Sequence, residues 1–332
     1  MKYKTSVVLC TYNGEKYIEE QLKSIFQQSI KPEEIIVVDD RSSDLTVKIA
    51  KKNLEESHIP YQVIINNDTL GVVLNFQKGI ELSNSEIIFL CDQDDLWEKQ
   101  KIELILSKFS ENPKAMMVFS NAYLVNEDRE KFSYLLWDLY KFKAGLFNEQ
   151  KYYDILLKKC VVTGATMAIR RELFDQAKPF PINGWIHDSW LAIVAPLYGD
   201  IIAIDQPLIE YRQHSTNVLG AKKLSINMQY HRFKKNIKNI STFRDNDYDK
   251  FAYFYLKNSA RIIETGNEAR ILECIGFWDE MKKLNNAGFF NGNRILFNCY
   301  KNGTYTRYLG GLKKMVLDEL SLIFKHRRLY KL

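Results

Sequence analysis

Short apolar runs and amphipathic stretches alternate through the first hundred residues of the chain. Ser6-Val-Val-Leu-Cys10, Glu34-Ile-Ile-Val-Val38, Tyr61-Gln-Val-Ile-Ile65 and Glu86-Ile-Ile-Phe-Leu-Cys91 read as strands, each brief, rich in β-branched residues and bounded by polar or turn residues. Between them the apolar positions fall at helical spacing. Ile18, Leu22, Ile25 and Phe26 make one stripe within 15–28, Leu45, Ile49 and Leu54 a second, and Val72, Phe76, Ile80 and Leu82 a third. A helix near 98–109 and a strand at Met116-Met-Val-Phe119 follow. Strand, helix and strand in repetition predict βαβ units, and hence an α/β fold with a mostly parallel sheet flanked by helices.

After Phe119 the period is lost for about thirty residues, and order returns at Val161–Ile169 and Asp200–Pro207. Beyond residue 222 the rhythm changes to basic, aromatic-rich, helical sequence. Residues 1–221 carry 25 Lys and Arg against 31 Asp and Glu, whereas 222–332 carry 22 against 10. The net +6 of the chain therefore belongs to the second segment. Two regions are expected: an α/β domain over 1–221, and a basic helical region over 222–332 for membrane-surface, ligand or oligomer contacts. Pairs such as Lys282-Lys283, Lys313-Lys314 and Arg327-Arg328, set among Tyr, Phe, Leu and Ile, suit a face lying on an anionic membrane. The five cysteines are scattered singly, which suggests neither a disulfide framework nor a zinc site and fits a cytoplasmic setting. No export signal is seen at the N-terminus and no stretch is apolar enough to span a bilayer.

The chemistry concentrates where strands end. The fourth apolar run stops in Asp92-Gln-Asp-Asp95, and unpaired buried charge is too costly for so many carboxylates to be a packing device. At the carboxyl rim of an open sheet, Asp92 and Asp94 can share a divalent cation, and oxygen ligands favour Mg²⁺ or Mn²⁺ over Zn²⁺. Asp39-Asp40 ends the second run and would meet the first cluster at that rim; Asp40 can accept hydrogen bonds from a base or sugar. Thr11-Tyr-Asn-Gly14 follows the first run, with an aromatic ring, an amide and a turn suited to a nucleoside. Neither a Gly-x-x-x-x-Gly-Lys-Ser/Thr loop nor a Gly-x-Gly-x-x-Gly is present after the first strand, so a metal must handle the phosphates.

Four blocks occur together in order and spacing: Val7-Val-Leu-Cys-Thr-Tyr-Asn-Gly14, Ile36-Val-Val-Asp-Asp-Arg-Ser-Ser-Asp44, Gly71 with Asn75 and Gly79, and Phe89-Leu-Cys-Asp-Gln-Asp-Asp-Leu-Trp97. Over roughly 4–220 the chain resembles the family-two glycosyltransferases of the GT-A fold. The resemblance implies that Thr11, Tyr12, Asn13, Asp40 and Asp92 hold the nucleotide of a sugar nucleotide, and that Asp94 with Asp92 takes the metal. It also implies that Asp188, in Ile186-His-Asp-Ser-Trp190, is the base for an inverting single displacement, although alone it reads as a helix cap. Gly164 corresponds to a small-residue loop beneath the donor sugar, and His214, within Tyr211–Gly220, to a late ligand for metal or diphosphate. Cys10 and Arg41 stand where the family usually has Pro and Gly. The acidic and late blocks look most like the bacterial rhamnosyltransferase branch, which implies dTDP-L-rhamnose as donor and a glycan or lipid-linked saccharide acceptor in capsule, cell-wall or O-antigen synthesis. Trp97, Trp185 and Trp190 are offered as sugar-stacking rings. Two other readings are a sugar nucleotidyltransferase, which lacks its Gly-rich basic loop here, and a non-enzymatic nucleic-acid binder. The second leaves the acidic rim unexplained, so no nucleic-acid partner is expected.

Overall fold

A computed structural model describes residues 3–148, 151–182, 184–214 and 226–310, with 315, 318 and 319; at 148, 226–243 and 245 it describes the backbone alone. Ser215–Gly220 of the late block, Lys313-Lys314 and Arg327-Arg328 lie outside the described residues.

The strands are β1 (Thr5–Thr11), β2 (Glu34–Asp39), β3 (Tyr61–Ile65), β4 (Ile87–Asp92), β5 (Leu96–Trp97), β6 (Ala115–Val125), β7 (Lys131–Leu135), β8 (Met167–Arg170) and β9 (Asp200–Arg212). The helices before the basic region are α1 (Ile18–Phe26), α2 (Thr46–Ser57), α3 (Val72–Leu82), α4 (Lys101–Glu111), α5 (Leu136–Tyr140), α6 (Gly145–Asn148), α7 (Tyr152–Leu156), α8 (Arg171–Ala177) and α9 (His187–Val194). In the basic region come α10 (Ile226–Glu264), α11 (Glu268–Lys283), α12 (Phe289–Lys301) and α13 (Thr304–Tyr308). The chain divides into two compact units, Met1–Tyr152 with Cys160–Lys222, and Tyr153–Lys159 with Lys223–Leu332.

In the first unit one sheet runs β3-β2-β1-β4-β8-β6-β9-β5, with β7 paired to β6. The expected parallel core is present: β1 lies between β2 and β4, and β2 pairs with β3, all in parallel. Val7, Val8, Leu9, Ile35, Ile36, Val38 and Ile87–Cys91 are all buried, which explains why these strands read as continuous apolar runs rather than alternating ones. β8 is reversed, antiparallel to both β4 and β6, while β9 is parallel to β6. β9 continues through Pro207 to Arg212, past the end predicted for it. Its register against β6 shifts where Asn121 meets Pro207, since proline has no N–H for the ladder.

The helices pack as the periodicity predicts, with one correction. Leu45 is 55% exposed, and α2 instead buries Thr46, Ala50, Asn53 and Leu54. Leu45 precedes the helix, where Asp44 Oδ1 accepts a hydrogen bond from Thr46 N at 3.0 Å and sets a different phase. The Gly71, Asn75 and Gly79 block has a packing explanation. Gly71 takes φ 79° before α3, Asn75 Nδ2 donates to Val38 O at 2.8 Å, and Gly79 lies flat on the sheet. A Cβ on Gly79 would stand 2.4 Å from Val8 Cγ1 and 3.1 Å from Val38 Cγ2.

The second unit is helical, as its composition predicts. Phe254, Ile262, Ile271, Cys274, Met281 and Tyr305 are buried in it, and Phe277 packs edge-on against Trp278 with ring centroids 5.2 Å apart. No described helix is long and apolar enough to cross a membrane.

Because Gly79 sets how closely α3 approaches β1 and β2, Gly79→Val should lose about 1–3 kcal/mol of stability through overpacking. Denaturant unfolding checks this, and unchanged stability would mean that α3 can shift outward freely.

Candidate active site

The carboxyl ends of β1, β2 and β4 lie side by side, with Thr11 opposite Asp39 and Cys10 opposite Asp92. The polar residues that follow these strands therefore meet at one rim, the usual ligand side of an open α/β sheet.

Much of the rim is bonded to itself. Buried Asp39 accepts hydrogen bonds from Thr11 Oγ1 at 2.7 Å, Ser42 N at 2.8 Å and Ser42 Oγ at 2.6 Å. Asp40 accepts from Asn66 Nδ2 at 2.9 Å, Leu70 N at 2.7 Å and Gly71 N at 2.9 Å. Asn13 Oδ1 accepts from Ser43 N at 2.9 Å. Asp40 and Asn13, expected to face a nucleoside, thus also tie the loops after β1, β2 and β3 together; Oδ2 of Asp40, which among the described residues accepts only from Gly71 N, can still accept a further bond. Tyr12 is 54% exposed, with its backbone clamped by Gln93: Tyr12 N donates to Gln93 Oε1 at 2.8 Å, and Gln93 Nε2 donates to Tyr12 O at 3.0 Å. Sequence reasoning passed over Gln93, because a glutamine between two aspartates shows no sign of pairing with a distant backbone. Arg41 sits at φ 66°, in the left-handed region that favours glycine, so the departure from the family pattern strains the turn by about 1–2 kcal/mol.

The remaining acids line the centre. Asp94 and His214 are brought into contact: His214 Nε2 lies 2.8 Å from Asp94 Oδ2, where an Nε2–H donates to the carboxylate. The imidazole also stacks on Tyr17 at 4.8 Å. Arg212, 3% exposed, fastens the end of β9 to the acidic loop, donating from N to Asp95 Oδ1 and from Nε to Asp94 O, each at 3.0 Å. Asp95 is itself 1% exposed, and its Oδ2 has no hydrogen-bond partner among the described residues. Asp92 is held by neither device. Burial, then the charges of Asp94 and Asp188, push its carboxyl up to about 7.

Asp188, in the first turn of α9, accepts from Gly164 N at 3.2 Å. Gly164 begins a 3-10 turn, Gly164–Thr166, that leads into β8. A Cβ on Gly164 would stand 2.5 Å from His187 Nε2, so this glycine makes room for an imidazole of the protein. His187 is 4% exposed and stacked on Phe76 at 4.1 Å, and neither ring nitrogen has a partner among the described residues. Behind the acids lies Lys101, fully buried, which burial pulls down to about 7. The tryptophans offered for sugar stacking are packing residues. Trp97 and Trp185 are each 5% exposed, and Trp190 is fully buried with Nε1 donating to Ala177 O at 2.9 Å.

Among the described residues no three His, Cys, Asp or Glu side chains converge as a ready-made metal cage. The donor set is nonetheless chemically suited to a hard cation that takes its other ligands from phosphate and water. Asp94 and His214 already touch, and beside them Asp92, whose ionised form burial and the charge of Asp94 disfavour, is a carboxyl that a bound cation would stabilise in that form.

A family model described as Glycosyl transferase family 2 matches residues 6–177. The chain is 31% identical over 246 residues to the dTDP-rhamnosyl transferase RfbG of Shigella flexneri, covering 68% of this chain and 77% of that protein. It is 25% identical to WfgD of Escherichia coli, a UDP-Glc:alpha-D-GlcNAc-diphosphoundecaprenol beta-1,3-glucosyltransferase, over 69% of this chain and 84% of the other. Among solved structures, S. aureus TarS 1-349 in complex with UDP-GlcNAc superposes with a TM-score of 0.56 at 17% identity, covering 98% of this chain and 92% of that one. That likeness shows a shared fold.

His187 yields a test by pH. Burial pushes its imidazole down to about 3, whereas in the unfolded chain it titrates near about 6.5. Below the higher value the unfolded state takes up a proton that the native state refuses, so stability is lost as pH falls from 6.5 towards 3. Unfolding free energies should fall by about 2 kcal/mol between pH 7 and 5 on account of this group, a component absent from His187→Gln. An identical slope in the variant would show that His187 takes up its proton over the same pH range in the native and unfolded states.

Proposed function

The chain belongs to glycosyl transferase family 2, and on that premise we propose that it transfers L-rhamnose from dTDP-L-rhamnose, with the aid of Mn²⁺ or Mg²⁺, to a glycan or lipid-linked acceptor during assembly of a bacterial surface polysaccharide. Membership makes it a glycosyltransferase with a GT-A-type α/β fold. The rhamnosyl donor is favoured by the likeness to RfbG, and the lipid-linked acceptor by the likeness to WfgD, whose printed acceptor is a diphosphoundecaprenol.

The observation that carries the site assignment is the gathering of Asp92, Asp94 with His214, and Asp188 with Gly164 at one rim. In this reading Thr11, Tyr12, Asn13 and Asp40 frame the nucleoside, with the exposed Tyr12 ring free to stack on the base. Asp94, Asp92 and His214 would hold the cation, which when bound offsets the charge of the diphosphate as it leaves. Asp188 accepts the proton of the acceptor hydroxyl while that oxygen bonds to the anomeric carbon. The bond to the diphosphate breaks on the opposite face, so the configuration inverts. The hydrogen bond from Gly164 N fixes one oxygen of Asp188, which orients the carboxylate for this transfer.

The helical region is assigned to the membrane surface, with α12 as its docking face. Phe290 is 87% and Phe297 61% exposed, and exposed Arg294 and Lys301 share their side of the helix. Gly292, Leu296 and Cys299 are buried on the other side, and α12 contains no carboxylate. Aromatic rings flanked by cations match the interface of an anionic bilayer.

Nucleoside diphosphate release from a panel of sugar nucleotides, with either metal, tests the activity. dTDP-L-rhamnose should be turned over, and Asp188→Asn and Asp94→Ala should each slow turnover about 10²–10⁴-fold. Turnover of no donor, or full turnover by both variants, would sink the assignment. For the surface, the protein should co-sediment with phosphatidylglycerol vesicles and not with phosphatidylcholine alone, and Phe290→Ala with Phe297→Ala should lose most of that binding. Equal recovery of the variant would remove α12 from this role.

A further inference from the structure

Lys101 is the first residue of α4 and has no accessible surface. A buried lysine is costly unless its head group is engaged, and an apolar side chain of the same length would fill the space more cheaply. Here the ammonium has defined surroundings. Nζ donates to Ala165 O at 2.6 Å and sits 3.7 Å from the centroid of the Trp97 ring. The carboxylates of Asp92 and Asp95 are near enough to act on its charge, and Asp95 Oδ2 lacks any hydrogen-bond partner among the described residues.

Ala165 is the middle residue of the turn Gly164–Thr166. One residue earlier, Gly164 N donates to Asp188, and the His187 ring fills the space beside the Gly164 Cα. Thr166 closes the turn by donating from N to Thr163 O at 2.9 Å. The turn is therefore held from two sides, by Lys101 on α4 and by His187 and Asp188 on α9. Its position depends on both.

We propose that Lys101 is a positioning residue: its buried amino group, donating to Ala165 O, holds the Gly164–Thr166 turn against the start of α4, and so sets where Gly164 N meets Asp188. Lys101 reaches neither donor nor acceptor. It acts through the turn, by the hydrogen bond to Ala165 O. The inference rests on the glycosyl-transfer reading in which Asp188 takes the acceptor proton.

A double-mutant cycle tests it, with kcat and donor KM measured by nucleoside diphosphate release from the full chain. Lys101→Met keeps the length of the side chain and removes both the donor and the charge. It should lower kcat on the order of 100-fold, the scale of a displaced catalytic group, with donor KM changed far less. In the Asp188→Asn background the same substitution should cost little more, because the group it positions is already disabled. Lys101→Gln, which retains an N–H, should fall between wild type and Lys101→Met and serves if Lys101→Met does not fold; thermal melting and dTDP binding establish folding for each. A folded Lys101→Met with wild-type kcat, or one whose full loss persists beside Asp188→Asn, overturns the proposal. If Asp188→Asn alone is fully active, the transfer reading fails instead, and the two failures are distinct.

Discussion

Like charge crowded at the end of a sheet is the constraint that the rest of this structure answers. Asp39, Asp40, Asp92, Asp94, Asp95 and Asp188 meet at or near one rim, where burial and mutual repulsion both disfavour ionised carboxylates. Each is met differently. Asp39 and Asp40 each accept three hydrogen bonds from hydroxyl, amide or backbone donors, Asp95 is capped by the backbone of Arg212, and Asp94 is paired with His214. Asp92 is left with its repulsion. The protein thus spends most of its acids on building a stiff cup and leaves a small remainder of negative charge at the centre, which suits a cation bound together with a diphosphate.

The stiffness has a common origin. Side chains from one loop bond to the backbone of another: Gln93 to Tyr12, Asn13 to Ser43, Asp40 to Leu70 and Gly71. Such bonds satisfy buried polar groups and fix loop positions at once. Groups that must act on a substrate are consequently presented by a frame that is already formed, with little reorganisation left for the moment of reaction.

The sheet core was legible in the sequence because β1, β2 and β4 are buried on both faces and read as unbroken apolar runs, and α1 and α3 because each buries one regular stripe. Residues 120–160 were not, since those described fold into the rest of a long strand, β7 and helices of four or five residues, and such helices span little more than one turn, too little for a repeat to show. At the rim the structure brings together residues that the motifs singled out, Asp94 with His214 and Asp188 with Gly164. What residue types could not convey was pairing across long separations. Lys101 with Ala165, Arg212 with Asp95 and His187 with Gly164 depend on how the sheet brings distant segments together, and the tryptophans beside the motifs belong to the core.

The reversal of β8 carries one more consequence. Strands that all run one way present only their outgoing ends at the ligand side, whereas β8, lying antiparallel between β4 and β6, presents its incoming end there. The stretch that precedes Gly164 consequently reaches the centre from outside the βαβ series, and no strand pairing of β1–β4 depends on its length. Insertions or replacements between β7 and the Gly164 turn can reshape what stands beside Gly164 while the pairing of β1–β4 with one another is left untouched. One excursion of the chain can therefore be rewritten while the rim that β1, β2 and β4 build keeps its geometry.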